Sequence, residues 1–383
     1  MIVLRDSSPF GRGKSSGFKV YLWLAVSIIA VFALIFCSPL PEDINNQRDA
    51  VISKVANAAS EHLPTPQRPS IAPNYPTLEN TKSKYAFATF LASDAAHPNS
   101  DSHDMNEDNY CVATRTLTYQ LLHAPSTRSA THIPLIVLVT ANVTEAKRER
   151  LRQDGAIVWE APDLKPAGSE WIHTDTAAWQ DVMTKLRLWE LEQFELICLL
   201  DADTTLTAPI DGVFSDPAVN VQHRLPKPDW ERQPGDELIP ETYVFAGTPE
   251  MQPQHHYPPS EAGHDYPNIG YLNAGFFVFK PDQKMLNYYI SLMQKEKSFD
   301  PFLPEQNLLN FAHRPVYEGG SMPWQHLSVE WNMHFPSVED VAGGVRSVHD
   351  KWWGPYNLDL QPYLLSWRWR MEGYWEAREA SLT

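Results

Sequence analysis

The chain sorts into segments by where its apolar positions fall. Residues 20–37 form a run of 18 positions without a charge, close to the roughly 17–25 that a helix needs to cross a bilayer. Residues 38–83 lose that pattern and hold seven prolines. Proline removes a backbone donor and stiffens the chain, so this stretch predicts an extended spacer with one short helix near 44–59. From Tyr85 onward, short apolar runs alternate with amphipathic ones. Tyr85–Leu91, Pro134–Val139, Ala156–Trp159 and Leu196–Leu200 read as strands, and the second and fourth are aliphatic enough to be buried on both faces. Between them, 109–123 and 145–153 read as helices. In 176–194, Val182, Met183, Leu186 and Trp189 share one helical face. A further strand is expected over Tyr271–Phe279, with helices over 282–296 and 304–313. Strand and helix in alternation predict an α/β domain: a mixed, mainly parallel sheet with flanking helices and right-handed crossovers.

Charge adds a direction to the first segment. Arg5, Arg12, Lys14 and Lys19 precede the apolar run against Asp6 alone, whereas Glu42 and Asp43 follow it. The positive-inside rule therefore predicts a cytosolic tail (1–19), an uncleaved anchor (20–37), a Pro-rich stem (38–83) and a lumenal folded domain (84–355) with an aromatic C-terminal tail (356–383). The sequon Asn142-Val143-Thr144 fits that side of the membrane. A net charge of −16 speaks against a nucleic-acid partner. Three cysteines exclude a disulfide scaffold, and Cys111 and Cys198 fall inside apolar elements as buried thiols.

The chemistry gathers at Leu199–Thr204. Asp201 and Asp203 stand two residues apart just after a buried strand, so in extended chain both face one site. Open α/β sheets bind ligands at the carboxyl ends of their strands. Paired carboxylates there suit a hard divalent cation that completes its shell with water and phosphate oxygens. A solvated turn after a strand is the plain alternative.

Several blocks in order give that motif a context. Thr184–Trp189 precedes it and Asp211–Phe214 follows it. Leu272–Pro281 carries Asn273-Ala274-Gly275 at a strand start, and Glu305–Asn310 reads E-Q-N-L-L-N at a helix start. With these blocks the chain resembles glycosyltransferase family 8, the glycogenin-like retaining nucleotide-sugar transferases, from about Tyr85 to Trp353. The resemblance implies a single Rossmann-like domain. It implies Mn2+ (or Mg2+) held by Asp201, Asp203 and His349, with His334 as the runner-up ligand. Lys185, Asn273, Gly275 and Lys351 would contact the donor sugar and its diphosphate, and Glu305 and Gln306 would face the reacting carbon and the acceptor. Two departures stand out: only Asp350 separates His349 from Lys351, fewer residues than the family has, and no Arg lies between Lys165 and Lys185.

The function so implied is transfer of a hexose or N-acetylhexosamine from a UDP-sugar to a glycan or glycoconjugate acceptor, by a single-pass type II protein of the Golgi membrane. The departures motivate an alternative, a non-catalytic glycan- or partner-binding protein on the same scaffold. A glycosidase would need two carboxylates across a sugar, and the flanking blocks do not fit it. Candidate acceptor contacts are the Pro-rich stretch 215–270 and the aromatics Trp352, Trp353, Trp367, Trp369, Tyr374 and Trp375, although packing is the commoner use of such rings.

Overall fold

The computed structural model describes residues 75–92, 108–174, 181–226 and 235–381. The expected anchor at 20–37 and the stem as far as residue 74 lie outside them. Among the described residues no helix is long and apolar enough to cross a membrane.

A seven-stranded sheet organises the domain. Its strands are β1 (Tyr85–Leu91), β2 (Leu135–Val139), β3 (Ile157–Glu160), β4 (Leu196–Leu200), β8 (Phe245–Pro249), β9 (Leu272–Phe279) and β10 (Gln325–His326). They lie in the order β10-β8-β9-β4-β1-β2-β3. β1, β2, β3 and β4 run parallel, whereas β9 is antiparallel to both β4 and β8. Every position of β2 and β9 is buried, as strands covered on both faces require. Side chains alternate between two cores. Ala86, Ala88, Ile136 and Leu138 pack on one face with Leu186 and Trp189, while Phe87, Leu91, Leu135 and Val137 pack on the other with Leu117 and Leu121.

The second face is closed by α1 (Asn109–Leu122), which starts where the Asp108 carboxylate accepts from the Cys111 backbone N–H. α2 (Glu145–Gln153) precedes β3. On the first face lie α3 (Gln283–Met293) and α4 (Pro304–Ala312), the latter with proline in its first turn, where the missing N–H costs nothing. Cys111 and Cys198 are both free and buried.

Two expectations change. The amphipathic face at Val182–Trp189 is buried, yet the described part, Val182–Glu190, is a 3₁₀ helix and not an α-helix. Apolar residues at these spacings bury one face in either winding, so the pattern does not separate them. The aromatic C-terminal segment is largely a 20-residue helix, α6 (Gln361–Ala380). Trp367 and Trp375 are buried in a cluster with Tyr119 and Val112 of α1. Their packing against α1 replaces the sugar contact considered for them.

A small second sheet positions the site. β5 (Thr204–Leu206) pairs antiparallel with β12 (Ser347–His349), which in turn lies parallel to β11 (Met333–His334). The remaining short elements are β6 (Gln222–His223) pairing with β7 (Thr242–Tyr243), and α5 (Val338–Gly343).

Candidate active site

Strand order reverses between β1 and β4, where each strand's sequence neighbour departs to opposite sides. Such a switch point opens a crevice at the strands' carboxyl ends. The cavity found there, about 290 Å³, is lined by Phe90 and Leu91 at the end of β1, by Ala92 just after it, and by Asp201, Ala202 and Asp203 after β4. Every residue singled out from the sequence for the site lines it: Lys185, Asp201, Asp203, Asn273, Gly275, Glu305, Gln306, His349 and Lys351.

Register explains how distant segments meet. Asp203 directly precedes β5, and His349 pairs across with Thr204. That register sets His349 Nε2 3.1 Å from Asp203 Oδ1 and 3.9 Å from Asp201 Oδ2. One ligand atom from each of the three residues lies within 4.8 Å of the others. β9 passes alongside, its Gly275 carbonyl accepting from the Asp201 N–H at 2.8 Å. A Cβ at position 275 would run into the His349 ring, so glycine is needed for this close approach.

Two lysines sit against the carboxylates. Lys185 Nζ is 2.6 Å from Asp201 Oδ1 and 3.6 Å from Glu305 Oε2, and Lys351 Nζ is 2.9 Å from Asp203 Oδ2. Burial would raise the Asp203 carboxyl, but the His349 and Lys351 charges override it and hold it well below the usual carboxylate range. Burial likewise opposes the charged form of His349, and the adjacent Asp203 raises it nonetheless. Glu305 goes the other way: burial pushes it up to about 7, and the nearby Asp201 adds to the rise while Lys185 opposes it.

On the opposite wall, α4 is tied to the start of β9. Gln306 Oε1 accepts from the Ala274 N–H at 2.9 Å, and its amide donates to the Tyr271 hydroxyl at 3.2 Å. Asn310 bonds both backbone groups of Leu272, at 2.7 and 2.9 Å. Asn273 donates to Glu250 Oε2 at 2.9 Å. His334, the runner-up ligand, is turned to Glu250 through Nδ1 and stands outside the three-residue cluster. Glu250 therefore holds Asn273 and His334 together and lies 3.4 Å from the Gln306 amide. Sequence reasoning missed it. Its one local signal is its place directly after β8, since the contact with Asn273 depends on β8 and β9 lying side by side.

Two carboxylates and an imidazole form a donor set suited to Mn2+ or Mg2+. The His349 ring fits that role, since its Nε2 is the nitrogen that faces both acids.

No family model matches the chain. It is 30% identical over 292 residues to the uncharacterised protein C5H10.12c of Schizosaccharomyces pombe, covering 68% of this chain and 74% of that one. A second protein of that yeast, C4C3.09, is 29% identical over 289 residues, covering 68% and 72%. Galactinol synthase 7 of Arabidopsis thaliana is 28% identical over 273 residues, covering 60% of this chain and 75% of its own. The chain belongs to one family with the fission-yeast protein C5H10.12c, and its similarity to the galactinol synthases supports a glycosyltransferase of the family 8 type.

Proposed function

We propose that this glycosyltransferase moves a hexose or N-acetylhexosamine from a UDP-sugar to a glycan or glycoconjugate acceptor, with retention of configuration. The observation that carries the reading is one cavity holding both the Asp201, Asp203 and His349 cluster and the Asn273, Gly275 and Gln306 wall. The relatives named as galactinol synthases support sugar transfer. The acidic pair and His349 would hold Mn2+ or Mg2+, which when bound neutralises charge on a diphosphate leaving group. Around it, Lys351, with 40% of its side chain exposed, reaches the mouth of the cavity as a phosphate contact. Lys185 fixes the orientation of Asp201 and pairs with Glu305. Asn273 and the Gly275 backbone offer polar groups to sugar hydroxyls.

The ties of Gln306 bear on mechanism. Its amide oxygen already accepts from the Ala274 N–H, so it is badly placed to attack a sugar carbon. This favours attack by the acceptor from the leaving-group face, with the leaving phosphate taking the acceptor's proton. UDP release from a panel of UDP-sugars with Mn2+ tests the reading. No release from any of them sinks it and favours the binding-protein alternative.

The placement we propose is a type II Golgi protein anchored by 20–37. Asn142 is exposed on the domain, as a glycosylated sequon must be. A full-length chain whose gel mobility does not change on glycosidase treatment counts against it.

A further inference from the structure

A ladder of rings leads out of the cavity. His349 and His334 stand 5.1 Å apart centre to centre, His334 stacks on Phe335 at 3.8 Å, and Phe335 meets Tyr356 edge-on at 4.9 Å. The two histidines line the reaction cavity. Phe335 and Tyr356 line a second hollow of about 480 Å³ with Leu358. Phe335 thus forms the threshold between the two. Tyr356 is 48% exposed and Leu358 71%, so apolar surface stands open along this rim.

The threshold is held at a cost. Phe335 has φ +54°, a left-handed conformation that is unfavourable for a bulky side chain. Pro336 follows it and further restricts its backbone. Such outliers persist where the surrounding structure over-determines them, and they cluster at ligand clamps. Here the strained backbone aims one ring at His334 and Tyr356 together.

The lining also selects by charge. Beyond the rings it presents Gln254, Ser337, Asn357 and Asp359. His255 is buried against Asp340, 3.0 Å away. Among the described residues no lysine or arginine lines it. Amides, a hydroxyl and aromatic faces suit the polar rims and apolar faces of neutral sugar rings, and the Asp359 carboxylate disfavours phosphate or sulfate groups.

We propose that this hollow is an acceptor subsite for the distal rings of a neutral oligosaccharide, with the ring at Tyr356 stacking on a sugar one or more units from the transfer point. The inference rests on the transferase reading above. Acceptor chain length is therefore the readout. With the UDP-sugar that the full chain cleaves, initial rates are measured against neutral gluco- and manno-oligosaccharides of one to six units.

The acceptor KM should fall as units are added. Tyr356→Ala should raise the KM of the longer acceptors by about tenfold, as expected for loss of one stacked ring, while the single-unit KM stays put. Tyr356→Phe should keep the original value. Donor cleavage with a KM independent of length, or untouched by Tyr356→Ala, overturns the subsite alone. So does preference for a phosphorylated acceptor. Absence of donor cleavage by the unsubstituted chain overturns the transferase reading and the subsite with it.

Discussion

His349 Nε2 lies 3.1 Å from Asp203 Oδ1 because His349 pairs with Thr204 across β12 and β5. The register of two short strands thus joins acidic and imidazole donors from distant parts of the chain. His349→Ala keeps the backbone pairing and removes one donor. Cation-dependent UDP release should drop by more than about 100-fold at fixed Mn2+. Part of the loss should return at high Mn2+, as a titration of rate against cation shows. An unchanged Mn2+ dependence would remove His349 from the set.

Gly275 is the companion test. Alanine there must push the His349 ring aside, because its Cβ meets Cε1 and Nδ1. The expected result is a folded protein destabilised by about 1–3 kcal/mol, with the Mn2+ titration displaced in the same direction as in His349→Ala. A thermal melt and a metal titration on one preparation check both effects.

His313 ties stability to pH. Its Nδ1 donates to the Met322 carbonyl at 2.8 Å, leaving Nε2 to accept from the Tyr289 hydroxyl at 2.6 Å. That arrangement fixes the neutral ring, and burial lowers its pKa to about 4. The unfolded ring titrates near 6.5 and so binds a proton that the folded one refuses. Stability should therefore fall as pH drops from about 6.5 to about 4, by roughly 2–3 kcal/mol from this residue. Denaturant midpoints across that window should flatten in His313→Gln. An unchanged slope counts against the assignment.

Trp189 tests the first core. It is 1% exposed and stacks on Phe279 with centroids 3.9 Å apart. Trp189→Ala should cost about 3–5 kcal/mol, read as a lower denaturant midpoint. A cost under 1 kcal/mol would mean that the core closes around the gap.

Much of this site is legible in the chain because its chemistry is local. Asp201 and Asp203 follow an unmistakable aliphatic strand, while Asn273 and Gly275, which open another, are singled out by the family resemblance. The pieces that escaped are products of tertiary contact. Glu250 acquires its meaning only beside Asn273 and His334. The 3₁₀ winding of Val182–Glu190 is invisible to apolar spacing, since the same face is buried either way. The tryptophans of α6 read as sugar platforms or, more commonly, as core, and α1 decides for core at Trp367 and Trp375 by covering them.

Asn310 bonds both backbone groups of Leu272, and Gln306 holds the Ala274 N–H. A helix is thereby stitched to a strand as though it were the next strand along. The consequence is mechanical. α4 and the first residues of β9 form one stiff jaw, and any breathing during turnover falls to the segments around it. Sugar preference in relatives of this chain should then diverge through exchanged side chains on that jaw, while its hinge-free seam stays put.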